Sequence, residues 1–349
     1  MRSTTLIVLA LVTVPISAAA VFVPAPGGTE VASVATGPVF PGLKDKIAGV
    51  TRLTVTDGNG TVTLERKGPP AKPGEPPLDG WALAEKGGYP VDGTALRPIL
   101  SALVDLKTVE PKTERPKLYD RLDLNDPGKG SEAKAVVLAD GGGDVATLIV
   151  GRRRYGLTGK DDGIYIRKPG DARTWLAAPA FDLPSDTLSW VDRKLVDIDA
   201  DKIKLVSLTP AAGGKPLVFQ RDKADAKLAV ADLPKDFKLK SDNPGGDLAA
   251  AFRYLDLTDV EPAAKLTVPA TATAHVETFD GLMLDMTLVD QDGATWVKFA
   301  AKGTGDAAKE AADIAKRTET WAYKIPDARV KTLETKLADL QAPPPAKGS

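Results

Sequence analysis

The sequence predicts a mixed α+β fold made of two tandem copies of one antiparallel-sheet-plus-helix unit, preceded by an N-terminal transmembrane or signal helix. The chain has 349 residues, enough for about two domains. Short alternating strands and helices recur in the same order in both halves. A long apolar stretch stands at the N-terminus. The expected division is 1–23 for a signal anchor or signal peptide, 24–38 for a Pro/Gly-rich spacer, 39–198 for the first repeat, 199–342 for the second and 343–349 for a disordered tail.

The apolar N-terminal stretch runs from Leu6 to Val23, and after Arg2 the next charged residue is Glu30. As a helix it would span about 27 Å, close to the hydrocarbon thickness of a bilayer. The small residues at 17–20 are compatible with cleavage by a signal peptidase. Val21–Val23 extend the apolar run past them, which favours an uncleaved anchor. Either interpretation places the body outside the cytoplasm, and Arg2 predicts that the N-terminus stays inside.

The spacer, residues 24–38, is rich in proline, glycine and alanine and carries Glu30 as its only charge. Such a composition favours an extended linker over a packed element. Extended, it would hold the body on the order of 45 Å from the membrane surface.

The internal repeat is recognised from segments that recur in order. Val50–Val55 and Thr61–Arg66 flank a turn at Asp57–Gly60, and Ile203–Leu208 with Leu217–Arg221 repeat this hairpin about 150 residues later. The other matched pairs are Leu103–Pro111 with Tyr254–Pro262, Ala135–Val150 with Leu282–Phe299, Thr174–Trp175 with Thr320–Trp321, and Leu195–Asp197 with Leu337–Asp339. The body is therefore interpreted as a duplication.

Helical spacing of apolar residues predicts a helix from Thr94 to Lys107, with Thr94 as its N-cap and Pro98 in its first turn. The equivalent helix is expected over Asp247–Leu255, and two more over Asp306–Thr318 and Ala328–Leu340. The strands alternate apolar and polar residues, as half-buried strands do. The five tryptophans, spread over both copies, are expected to pack in the core.

Composition excludes several classes of function. Lys and Arg total 46 against 47 Asp and Glu, a net charge of −1, so there is no basic field to attract nucleic acid. Cysteine is absent and histidine occurs once, which removes thiol nucleophiles, thiolate metal sites and disulfides. The glycines at 141–143 lack the Lys-Ser/Thr of a phosphate loop. No catalytic residue, cofactor or metal is expected.

The densest basic spot is Arg152, Arg153 and Arg154, and these three are the candidate ligand-binding residues. Adjacent guanidinium groups can clamp a phosphate or an acidic lipid headgroup. Because side chains alternate along a strand, at most two of the three would share a face. The alternative is a solvated strand end.

His275 is the only histidine available to a Ser–His–Asp arrangement, and no Gly-x-Ser-x-Gly elbow accompanies it, so it is expected on an exposed or edge strand. Asp290 and Asp292 resemble part of a calcium loop. Ala294 and Ala301 stand where further ligands would be needed, which favours a hairpin turn. His275, Asp290 and Asp292 are the candidates if the protein is a carboxylate-dependent envelope hydrolase or a glycan-binding protein.

A series of short motifs follows one another in a definite order along the body. The motifs are Phe40–Leu43, Gly80–Trp81, Gly88–Asp92, Lys112–Pro116 with Tyr119 and Leu122, Ile149–Gly151, Ile164–Arg167, Trp175–Ala177 and Trp190–Asp192. This series resembles the bacterial domain-of-unknown-function family forty-three-forty (DUF4340) over residues 40–340. The resemblance implies an N-terminal membrane segment, an extracytoplasmic body and association with ABC-transporter components of the gliding-motility auxiliary type. It brings no catalytic residues with it.

These observations and the resemblance predict a non-enzymatic, membrane-anchored extracytoplasmic binding or scaffolding protein, accessory to an ABC-type transport system. Its expected location is the bacterial inner membrane, crossed once, with the body in the periplasm. A soluble periplasmic protein after signal cleavage is the alternative. The expected partners are the membrane, through the N-terminal helix, and transporter subunits, with no nucleic acid.

Overall fold

The computed structural model describes residues 36–156, 162–210 and 213–343, and over these residues the chain forms a nine-stranded and an eight-stranded sheet. Strand pairs within both sheets are antiparallel, so the predicted mixed α+β class is confirmed. The expected anchor, most of the spacer and the tail beyond 343 lie outside the described residues. Within the described part, no helix is long and apolar enough to cross a bilayer.

The first sheet has the strand order β4-β3-β2-β1-β6-β7-β8-β9-β5. The helices of this half are α1 (Leu43–Lys46) and α2 (Gly93–Asp105). Its strands are β1 (Arg52–Thr56), β2 (Thr61–Arg66), β3 (Trp81–Leu83), β4 (Tyr89–Pro90), β5 (Lys107–Pro111), β6 (Lys134–Asp140), β7 (Gly143–Arg154), β8 (Gly163–Arg167) and β9 (Thr174–Ala178).

The second sheet has the order β13-β12-β11-β16-β17-β18-β19-β15, and a separate two-stranded sheet pairs β10 with β14. The helices of this half are α3 (Pro244–Ala250), α4 (Ala308–Thr318) and α5 (Asp327–Leu333). The strands are β10 (Lys194–Val196), β11 (Ile203–Pro210), β12 (Leu217–Gln220), β13 (Ala229–Val230), β14 (Leu255–Asp256), β15 (Asp259–Pro262), β16 (Ala272–Thr278), β17 (Leu282–Gln291), β18 (Ala294–Gly303) and β19 (Trp321–Lys324).

The two sheets share one strand order. The series β3-β2-β1-β6-β7-β8-β9-β5 corresponds strand for strand to β13-β12-β11-β16-β17-β18-β19-β15. By sheet position, β6 and β7 correspond to β16 and β17, so the sequence match of Ala135–Val150 with Leu282–Phe299 is displaced by one strand. Both segments are alternating strands joined at Asp and Gly, and local pattern cannot tell such hairpins apart.

Helix α2 begins one residue earlier than predicted, at Gly93, and its N-cap is Asp92 instead of Thr94. The Asp92 carboxylate accepts a hydrogen bond of 2.8 Å from the backbone N–H of Thr94. Pro98 consequently lies inside the helix, beyond the first turn. The predicted apolar face is confirmed, since Leu96, Ile99, Leu100 and Leu103 are buried.

Helix α4 ends at Thr318 as predicted and begins two residues late, at Ala308. Helices α3 and α5 begin earlier than predicted, at Pro244 and Asp327, and both end early. α3 ends at Ala250 because Leu255 is already paired with Val196 in the two-stranded sheet. α5 ends at Leu333, and a separate 3₁₀ turn follows at Leu337–Leu340. The backbone N–H of Lys336 donates to Asp339 and starts that new turn.

One continuous hydrophobic core runs through both halves. The Tyr89 ring of β4 meets the Trp321 and Tyr323 rings of β19 edge to face, with centroids 4.9 and 6.1 Å apart. Phe299 of β18 continues the stack, 5.8 Å from Tyr323. The predicted core role of the tryptophans is confirmed: Trp81, Trp190 and Trp296 are buried, and Trp175 and Trp321 pack partly buried against the core.

The sheets meet at β4 and β15 without continuing as one ladder. Pro90 ends β4 and Pro262 ends β15, and neither has an N–H to donate. Side chains hold the two edges together, with Lys86 Nζ 2.5 Å from Asp259 Oδ1. Gly87 lies so close to Pro262 that an added Cβ would be 2.5 Å from the Pro262 Cγ.

The halves differ in how the outer face of each sheet is covered. In the first half, residues 112–133 cover it with a small cluster formed by Tyr119, Leu124 and Ala133 on Ile149. The corresponding connection in the second half, residues 263–271, is much shorter. The second sheet therefore leaves this face more open.

Gly87→Ala should destabilise the junction more than Gly88→Ala. Both glycines have positive φ (66° and 89°), so each substitution costs about 1 kcal/mol of backbone strain. The Gly88 Cβ would meet nothing within 4 Å, whereas the Gly87 Cβ would overlap Pro262 and add about 1–3 kcal/mol. Urea unfolding of both variants measures the difference. Adding Pro262→Ala to Gly87→Ala should recover the extra free energy of unfolding that the overlap removes. Equal losses of unfolding free energy in the two single variants would contradict the contact.

Candidate functional site

The three candidate arginines lie at the end of β7, and each faces carboxylates from a different part of the chain. Arg152 makes a two-pronged hydrogen bond to Asp123, at 2.9 and 2.8 Å. The other pairs are Arg153 with Asp162 at 2.7 Å, Arg153 with Asp182 at 3.3 Å and Arg154 with Glu110 at 4.0 Å. Since their charges are already matched one by one, the structure does not bring the three guanidinium groups together around a common anion.

Asp162 pairs with Arg153 and with the backbone next to it. Its carboxylate accepts a hydrogen bond of 2.8 Å from the Gly156 N–H and one of 2.7 Å from the Arg153 guanidinium. The Gly156 N–H and then the Arg153 guanidinium lower the pKa of Asp162. The basic cluster therefore fastens the β7 end to its neighbours.

His275 lies on β16, an inner strand between β11 and β17, so of the two predicted positions, exposed or on an edge strand, the edge strand is wrong. Its side chain is 34% exposed. Its Nδ1 lies 2.6 Å from Asp285 Oδ1, and its Nε2 lies 3.3 Å from Glu277 Oε1. Burial acts to lower the pKa of His275, but the two carboxylates outweigh it and the pKa is raised.

Ser207, His275 and Asp285 stand opposite one another on three adjacent strands. The Nε2 that a nucleophilic serine would need faces Glu277. None of the three lines either of the grooves described below. These three residues therefore resemble a catalytic triad in their residue types only.

Asp290 and Asp292 lie at the β17–β18 hairpin, as the turn interpretation predicts. Asp292 and Gly293 have φ of 55° and 74°, which is typical of a tight two-residue turn, and Asp290 accepts 2.7 Å from the Thr295 hydroxyl. Asp290 is five residues along β17 from Asp285, about 17 Å. The structure therefore does not bring His275 together with Asp290 and Asp292, and the described residues hold no cluster of three His, Asp or Glu side chains able to bind a metal ion.

A groove of about 1060 Å³ runs along the contact between the two halves, and we name it the junction groove. Its floor is apolar and aromatic, and its wall is the charged face of α4 together with the 3₁₀ turn Gly305–Ala307 before it. The floor includes Tyr89, Leu195, Ile314, Trp321 and Tyr323, and the wall carries Asp306, Lys309, Glu310, Asp313 and Lys316.

Arg317 and Tyr323 fix the shape of the junction groove. The Arg317 guanidinium donates to the carbonyls of Lys194 and Leu195, at 3.0 and 3.2 Å, and thereby ties α4 to β10. The Tyr323 hydroxyl donates 3.0 Å to the Arg317 carbonyl. Burial raises the pKa of Tyr323 and of Tyr89, so both hydroxyls stay protonated at the groove floor.

Tyr254 stands beside the junction groove in a conformation that sequence patterns do not indicate. Its φ is 47°, in the left-handed region, and it is 65% exposed. Asp197, which lines the groove, accepts 3.1 Å from the Tyr254 N–H, and this bond is the largest cause of the lowered pKa of Asp197. The Arg253 guanidinium stacks 4.6 Å from the Tyr254 ring.

A second groove, of about 1410 Å³, lies at one end of the eight-stranded sheet. The end of β11, the starts of β12 and β16 and the segment after α5 form it. We name it the Pro-lined groove after Pro210, Pro216 and Pro269 in its walls. No residue lines both grooves among those described.

His275→Gln should reduce stability at low pH more than at high pH. Because the folded protein raises the pKa of His275 above its ordinary 6.5, the charged imidazole stabilises the fold fully below 6.5. That stabilisation is lost as the pH rises through the folded value. The difference in unfolding free energy between wild type and variant, measured from about pH 5.5 to about pH 8.5, should shrink. A constant difference over this range would contradict the ion pairs with Asp285 and Glu277.

The profile of the family described as "Domain of unknown function (DUF4340)" matches residues 81–275, more than half of the chain. The matched region runs from β3 to β16 and includes both edges of the junction, β4 and β15. Comparison with curated proteins gives no match. The resemblance expected from the order of the short motifs is therefore confirmed, and the chain belongs to the DUF4340 family.

Proposed function

We propose that this protein is a non-enzymatic, membrane-anchored extracytoplasmic binding or scaffolding protein that serves an ABC-type transport system. The junction groove carries the proposal. Ligand and partner sites occur preferentially where two structural units meet. Here that meeting place combines an aromatic floor with a wall of exposed charges.

The proposal includes the finer view of the fold, a duplication of one unit. Eight strands in the same order in both sheets support it. The match of Pro111↔Trp175 in the first sheet with Pro262↔Trp321 in the second supports it residue by residue. Duplication creates a seam between similar units, and the junction groove lies on that seam.

The composition of the groove fits a polypeptide partner. Glu310 and Asp313 on one side of α4 and Lys309 and Lys316 beside them present both signs of charge to solvent. Charges of both signs favour a partner surface with the complementary pattern and disfavour wrong partners. Tyr254, an exposed aromatic ring held beside Asp197 of the junction groove, has the character of an interface anchor.

The N-terminal entry and the junction lie at different edges of the first sheet. Gly37 and Val39 make backbone hydrogen bonds with Thr108 and Leu106, so the chain enters the body at the β5 edge of the first sheet. The junction lies at β4, the opposite edge of the same nine-stranded sheet. Helix α2, 13 residues or about 20 Å long, connects the two edges. An anchored body would thus keep its junction groove away from the anchor.

Asp313→Lys should reduce partner recovery without unfolding the protein. When the tagged protein is purified from detergent-solubilised membranes, we expect transporter subunits to co-purify with the wild type. Charge reversal in the groove wall should lower this recovery about tenfold. Glu319→Lys is the matched control, because Glu319 is an exposed acidic residue beside the C-terminal end of α4 that does not line the groove. Repeated recovery of the wild type alone, or equal recovery with both variants, would contradict the proposal.

Tyr254→Gly should separate stability from binding. Glycine adopts a φ of 47° without strain, so the free energy of unfolding should hold or rise by up to about 1 kcal/mol. The same variant loses the exposed ring, so recovery of transporter subunits should fall. Thermal unfolding and co-purification on one preparation measure both. Unchanged recovery would show that Tyr254 takes no part in binding.

A further inference from the structure

Below the charged side chains of its rim, the Pro-lined groove has walls that offer few hydrogen-bond donors to a ligand. Pro210, Pro216 and Pro269 have no backbone N–H. Thr271 and Thr335 also line it, but their hydroxyls donate to the carbonyls of Leu288 and Lys331, at 3.3 and 3.4 Å. The groove is therefore unsuited to a peptide that adds as a strand, because such a peptide leaves backbone carbonyls to be satisfied.

The apolar side chains at the base of the groove are buried in the hydrophobic core, and those at its opening are exposed to solvent. Leu208, Leu217 and Leu333 form buried walls, with exposed fractions of 3%, 8% and 2%. Val268 stands at the opening and is 41% exposed, one of the few large apolar side chains in the described residues left so open. With about 1410 Å³, the groove exceeds what a compact ligand needs, about 300–1,000 Å³, and suits an elongated one.

The charges of the Pro-lined groove are of both signs and lie on its exposed rim. Lys215 pairs at 3.9 Å with Asp232, and both side chains are largely exposed. Lys331, Lys336, Asp290 and Asp339 complete the exposed part of the rim. Glu334 lies between them, half-buried, and burial followed by the nearby Asp290 raises its pKa. A rim with balanced charges complements a headgroup that carries both a positive and a negative charge.

We propose that the Pro-lined groove binds a single acyl chain of a zwitterionic amphiphile, with the chain along the prolines and leucines and the headgroup among the charges of the rim. An alkyl chain needs no hydrogen bonds, so donor-poor walls cost it nothing. Burying it removes apolar surface from water on both sides. This goes beyond the proposed function, because it concerns a different groove and a different kind of ligand.

The test is calorimetric titration of the purified full-length protein with dodecylphosphocholine below its micelle concentration. We expect saturable binding to the wild type. Ala270→Trp fills the groove, and Val268→Asp places a charge at its apolar opening, so each should weaken binding about tenfold. Val268→Asp alters an exposed residue, so it stays informative if Ala270→Trp fails to fold. Ala300→Trp is the matched control, because Ala300 is exposed on β18 outside the groove, and it should bind like the wild type.

Two further ligands separate the chain from the headgroup. Phosphocholine alone should not bind measurably, because it lacks the chain. Dodecanoate, which has the chain but only a negative charge, should bind more weakly than dodecylphosphocholine, because Asp290 and Glu334 lie on the rim. Absence of wild-type binding, binding by Ala270→Trp and Val268→Asp equal to that of the wild type, or tighter binding of phosphocholine or dodecanoate would each overturn the proposal.

Discussion

Tyr89 lies on β4, an edge strand of the first sheet, and its ring packs edge to face on Trp321 of the second sheet, with the ring centroids 4.9 Å apart. Through this contact and the neighbouring Tyr323, the two sheets share one core. Much else depends on it. Gly87 must approach Pro262, Arg317 must reach the β10 carbonyls, and the junction groove takes its floor from the same rings. Aromatic pairs of this kind add about 0.5–1.5 kcal/mol beyond the area that they bury.

The two halves show how one strand arrangement adapts to different surroundings. Val136 pairs with Leu148 in the first sheet, and Val276 pairs with Leu284 at the same place in the second. The adjacent pair along these strands of the first sheet is Ala135 with Ile149, an apolar pair under the covering segment 112–133. The pair at the same position in the second sheet is His275 with Asp285. Where the cover is short, a His–Asp pair occupies the position at which the covered sheet has an apolar contact, since an isoleucine exposed there would stay in water.

The sequence predicts the local structure well and the distant pairings poorly. The apolar face of α2, the Asp292–Gly293 turn and the mixed antiparallel class follow from spacing and turn chemistry, and they are confirmed. The correspondence of the hairpins was displaced because it depends on which strand pairs with β1 and β11, far along the chain. The same limit applies to the candidate sites. The carboxylates that neutralise Arg152 and Arg153 come from other segments, and the left-handed backbone of Tyr254 has no signature in its residue type.

The sheet edges of this protein determine what a partner can recognise. β4 and β15 end in prolines and face each other, residues 37–39 cover β5, and β13 has two residues. Within the described residues, these four strands are the edges of the two large sheets. An extended segment from another molecule therefore finds little unpaired backbone to join, and self-association by strand addition is disfavoured in the same way. Any partner would then have to be recognised through side chains and the shapes of grooves, and its selectivity would change by single substitutions that leave the sheets untouched.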